Sequence, residues 1–167
     1  MTYEWLLYAN FFLALWSAVI GGVFSAFSEF IMAGLLRASP SAGIQAMQEI
    51  NKTVIRTQFV AGIMLIPVLS VAVAVYGANH FEGAARIALI AAPAIYIPSV
   101  FLMTMIGNVP MNNRLESLDP ESAEATAYWQ VYGRRWTRLN HFRSLGSILT
   151  ALVYLVAGAL LITSGQV

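Results

Sequence analysis

GNVPMNNRLESLDPESAEATAYWQVYGRRWTRLNHFRS, residues 107–144, is a polar island between two long apolar runs. It carries five of the nine Lys and Arg residues and four of the eight Asp and Glu. Its two ends, NVPMNN and WTRLNHFRS, sit where the chain turns apolar. Burying amide, imidazole and guanidinium groups at that depth costs free energy unless each finds a partner. The apolar runs therefore decide the fold, and the junctions of the island are the first candidates for function.

Composition agrees. Hydrophobic residues make up 59% of the 167 and charged ones 10%, against roughly 45–50% and about 25% in a soluble domain. The solvent for most of this surface is expected to be lipid, and the length fits one domain, residues 1–167. A net charge of +1 gives no nucleic-acid footprint, and the absence of cysteine removes disulfides, thiolate chemistry and Cys-based metal or iron–sulfur sites. Glu4 with no basic residue ahead of the first apolar run argues against a cleaved signal peptide.

Four runs are long enough to cross a bilayer, at about 6–36, 59–76, 86–106 and 141–163. The expected fold is an all-α integral membrane four-helix bundle. Within the first run Glu29 lies among Phe24, Phe27, Phe30 and Ile31. It either snorkels to the interface or faces a polar pocket, and its short reach tips the reading toward the pocket. Ser39-Pro40-Ser41 starts a helix, and Ile44, Met47, Ile50, Val54 and Ile55 follow at helical spacing, which makes an amphipathic segment after the first span. Gly77 to Gly83 reads as a turn with a solvated His80. Pro93 and Pro98 should kink the third span. Asp119-Pro120-Glu121 reads as the start of one long helix that runs into the fourth span.

Eight of the nine basic residues fall in the first and third connections or at their edges. By the positive-inside rule the island and the amphipathic segment are cytoplasmic and both termini lie outside. Orientation thus accounts for most arginines before any anionic partner is invoked. What remains is an alignment: Trp129, Tyr132, Trp136, Asn140 and Arg143 recur at spacings of three and four and share one helix face. Trp and Tyr there are ordinary interfacial anchors, but Asn140, His141 and Arg143 reach into the fourth span. His141 is either a satisfied structural histidine or a proton acceptor near neutral pH.

MQEIN (47–51), GNVPMNNRL (107–115) and WTRLNHFRS (136–144), with FSAFSEF before Arg37, resemble the anthrone oxygenase family. These are small four-span membrane proteins, linked in polyketide pathways to anthrone oxidation. The motif positions carried over are Asn51, Asn108, Pro110, Asn112, Trp136, Asn140, His141 and Arg143. The resemblance implies a bacterial inner-membrane protein and a cofactor-independent oxygenase of an anthrone-like or quinone-like aromatic, with molecular oxygen as co-substrate. An anthrone loses a ring proton to give an electron-rich anion that meets oxygen directly, so the protein needs a base, oxyanion donors and a dry slot. His141 is then the base, Arg143 and Asn140 with it the catalytic set. Asn108, Asn112, Trp136, Asn51 and Glu29 form the binding set. The expected partners are an apolar planar small molecule and the bilayer, with a homo-oligomer or a larger membrane complex left open.

Two other readings stand beside it. One is a non-catalytic accessory or binding subunit whose polar cluster holds helices together. The other is a metal- or haem-dependent membrane redox protein using His141, Glu29 and amide oxygens, a thin donor set without cysteine.

Overall fold

The computed structural model describes residues 4–163, and the tail at 164–167 lies outside the described residues. Among the described residues every regular element is a helix. Four are long and apolar enough to cross a membrane: α1 (Glu4–Arg37), α3 (Gln58–His80), α4 (Gly83–Glu116) and α5 (Ala123–Thr163). Between the first two lies α2 (Pro40–Val54), with proline in its first turn. The chain is an integral membrane protein built on this four-helix frame.

The helices overrun the expected spans because the breakers redirect them without stopping them. The segment from Gly77 is the last turn of α3, where Asn79 and His80 bond back to the carbonyls of Val75 and Tyr76. Only Phe81 and Glu82 separate α3 from α4, and Gly83 takes φ +64, a conformation that suits glycine. Helix α4 runs on through Pro93 and Pro98 and widens into π-type turns at Ile97–Leu102 and Thr104–Asn108. The long helix begins at Ala123, a few residues past Asp119-Pro120-Glu121, because the Ser122 hydroxyl caps the N–H of Ala125 at 3.0 Å.

Helix α5 is the spine. Its apolar half packs along α1 and α4, where Gly21 and Gly146 let backbones approach. Leu6, Leu13, Ile20, Phe24, Tyr96 and Tyr154 fill that part of the core. The polar half of α5 does not stand free. Trp129, Tyr132 and Trp136 form a second core with Met32, Ile44, Met47 and Leu115, which caps the basic end of the bundle. Gly43 meets Trp129, and Gly133 meets Leu36, at van der Waals limits. Gln48 ties α2 to the end of α4 through the carbonyls of Leu115 and Leu118, both at 2.9 Å.

Candidate functional site

Between the bundle and its cap lies a cavity of about 330 Å³. One level of the bundle supplies its floor. Arg143 of α5 reaches across to Thr104 of α4 and lies over the ring of Phe24 of α1 (4.1 Å), which meets Phe59 of α3 edge-on (5.4 Å). Most of the remaining wall is apolar, from Phe27, Met47, Ile50, Ile63, Met64 and Trp136 among others.

Arg143 is the unusual group. It is 4% exposed, and no carboxylate lies within ion-pair distance of it among the described residues. Its guanidinium donates to Thr104 Oγ1 (3.3 Å) and to Asn140 Oδ1, while its Nε has no partner. The rings of Phe24 and Trp136 give a cation–π environment worth about 0.5–2 kcal/mol, well short of the several kcal/mol that burying a charge costs. A fixed cation without a counter-ion, at the end of an apolar slot, is suited to receive an anionic oxygen.

The neighbouring amides hold this arrangement. Asn140 donates to Phe24 O (2.6 Å) and Ser28 Oγ (2.7 Å), beside the π-type turn Phe27–Ile31 of α1. Such turns leave nearby carbonyls short of their usual donors. Asn112 Oδ1 accepts from Tyr132 OH (2.8 Å) and Trp136 Nε1 (2.9 Å), which sets the indole as a cavity wall. Asn108 donates weakly to Trp136 O (3.3 Å), and its Oδ1 is buried without a partner. Asn51 also lines the cavity, its amide nitrogen close to the Tyr132 phenol but outside hydrogen-bond geometry. At the rim Lys52 pairs with Glu49 (2.9 Å) and Glu116 (3.1 Å), joining α2 to α4. These carboxylates, Glu49 first, hold the ammonium above the usual lysine range.

Of the residues expected at a site, Asn51, Asn108, Asn112, Trp136 and Arg143 line this one cavity. Asn140 is buried directly behind Arg143 as its support. The two ends of the island thus share a pocket, although Asn108 and Asn112 bond to Trp136 and Tyr132 and not to Asn140 or Arg143.

His141 and Glu29 are not brought there. At about 100° per residue, His141 is turned off the face shared by Asn140 and Arg143, and it is exposed. Glu29 is exposed as well, on the outer side of the π-type turn, in keeping with the snorkelling alternative. The ionisable side chains lining the cavity are Lys52, Glu116 and Arg143. No three His, Cys, Asp or Glu side chains converge as a metal cluster among the described residues. Sequence reasoning missed Thr104, Phe24 and the Lys52–Glu116 rim. Thr104 had a signal, a hydroxyl four residues before Asn108 in an apolar run; Phe24 had none.

A family model described as anthrone oxygenase matches residues 52–153, which takes in every one of these α4 and α5 residues. No curated protein and no solved structure matches the chain.

Proposed function

The chain belongs to the anthrone oxygenase family, and from that membership we propose that it oxygenates a planar, acidic aromatic of the anthrone or quinone-precursor type inside the membrane. The observation that carries the reading is Arg143, a buried cation with no carboxylate partner, facing an apolar cavity with one wall of indole. A positive charge in a poorly screened site favours the ionised form of an acid beside it. Arg143 therefore acts on the substrate's own acidity, and in this scheme Asn108 and Asn51, which line the cavity, bond further oxygens or hydroxyls of the ring system. The proton goes to water at the Lys52–Glu116 rim. His141 has no part in this scheme, because its ring lies outside the cavity.

The chemistry then balances without an added reductant. The ring anion gives up electron density to oxygen, a carbon–oxygen bond forms, and protonation yields a hydroperoxide. Loss of water breaks the O–O bond and the remaining C–H bond, leaving the new carbonyl. In sum, one ring methylene and one dioxygen become one ring carbonyl and one water. The protein contributes orientation, a preorganised donor for the oxyanion and a dry apolar wall.

The test is oxygen uptake by the purified protein in nanodiscs with anthrone. One dioxygen consumed per anthraquinone formed, with loss of rate in Arg143→Met, is the expected result. Binding without uptake would favour the accessory-subunit reading, in which the same cavity only holds its ligand.

A further inference from the structure

Helices α3 and α4 touch at one end of the bundle and stand apart at the other. At the far end a side chain on Gly77 would sit 2.6 Å from Leu89 Cδ1, so the two helices are in close contact there. At the basic end they flank the cavity, Val60 and Met64 lining it from α3, Thr104 and Val109 from α4. Val60, Met64 and Val109 are only half-buried. Around them Leu65, Met105 and Ile106 turn 56%, 42% and 76% of their surface outward, an apolar surround that matches lipid. Met64 lies six residues inside α3, roughly 9 Å below its first turn at 1.5 Å per residue, which is hydrocarbon depth. The π-type turn at Thr104–Asn108 lies in this stretch of α4.

The other side is strapped. Lys52–Glu116 and the two bonds from Gln48 hold α2 against the end of α4 across the polar rim. Water and protons can pass such a rim, but a rigid ring system would have to break the strap.

We propose that the cavity is loaded sideways from the bilayer, through a portal between the first turns of α3 and the Thr104–Val109 stretch of α4. The ligand is a lipid-dissolved planar aromatic acid, which slides in neutral with its acidic oxygen leading and meets Arg143 at the far wall. The identity of this ligand rests on the function proposed above, whereas the route rests on the placement of the two helices. An apolar aromatic partitions into the hydrocarbon, so a lateral opening takes it where it is concentrated and spares it passage through water.

The chain has no cysteine, which permits paired cysteines bridged by a cleavable bismaleimide. Met64→Cys with Val109→Cys closes the portal, and Gln48→Cys with Leu118→Cys closes the rim, at positions outside the cavity lining. The probe is 2-hydroxyanthracene, a phenol-type acid that is neutral at pH 7, delivered from vesicles and followed by its fluorescence on binding. Bridging the portal should slow loading about tenfold or more, cleavage of the bridge should restore it, and bridging the rim should leave it within about twofold. Because bridged and cleaved states are the same folded protein, loss of fold cannot imitate the result. Loading slowed by the rim bridge alone, or by neither bridge, overturns the portal while leaving the oxygenase reading intact. Failure of the unbridged protein to bind the probe would overturn both, and oxygen uptake with anthrone reports on the second independently.

Discussion

Asn140 accepts a hydrogen bond from Arg143 while both of its own amide hydrogens are held by α1, through Phe24 O and Ser28 Oγ. The only cavity-facing cation on α5 is thus aimed by a neighbour three residues away that is itself fixed across the bundle. Asn140 positions Arg143 and does not touch the cavity.

Asn140→Leu should therefore act on both stability and binding. It leaves the Phe24 carbonyl and an Arg143 N–H unpaired inside the bundle, at a cost of about 1–3 kcal/mol. Thermal unfolding in detergent should fall accordingly. Affinity for 9-anthracenecarboxylate should fall more than in Ser28→Ala, which removes one contact of Asn140 and leaves its bond to Arg143.

His141→Ala should be close to silent. Its ring is exposed and outside the cavity, so turnover of anthrone is expected within about twofold of the parent, whereas loss of a positioned base costs about 10²–10⁴-fold. A large drop in turnover with an unchanged melting temperature would return His141 to the mechanism.

Gly146→Val should destabilise without touching the site. A Cβ there would lie 2.6 Å from Ser99 Cβ, on a residue whose hydroxyl is already bonded to Ile95 O at 2.6 Å. Overpacking of this kind costs about 1–3 kcal/mol. An unaltered melting temperature would show that α4 and α5 are further apart than described.

Orientation is tested by labelling. With the basic end in the cytoplasm, Asn79→Cys should react with an impermeant maleimide on intact cells and Ser122→Cys only after lysis. The reverse pattern would invert the protein.

The four spans were legible because each apolar run falls within or above the length a bilayer demands, and no soluble core of this size needs four such runs. Trp129, Tyr132, Trp136, Asn140 and Arg143 were legible as one face, and all five are buried. His141 follows Asn140 by a single residue, so helical phase turns it off the face that Asn140 and Arg143 share, which imidazole chemistry alone does not reveal. Glu29 is exposed although its neighbours in sequence are aromatic, and the π-type turn that sets its direction has no signature in FSEFI. Proline spacing marks where α4 is irregular but not that it widens into π-type turns, since a bend and an added residue per turn relieve the same missing bond. Phe24 and Thr104 reach the site only through the packing of α1 and α4 on α5, which the local pattern does not encode.

Arg143 should make whatever the cavity binds a stronger acid, and the most direct measurement is the ionisation of bound anthrone, followed by the absorbance of its anion across pH. A cation within a few ångströms favours the anion, and removing it leaves only an apolar slot that disfavours it. Anthrone bound to the parent protein should ionise about 1–3 pH units below anthrone bound to Arg143→Met, with Arg143→Lys between them. Coincident titration curves for the parent and Arg143→Met, with both proteins binding the ligand, would contradict it.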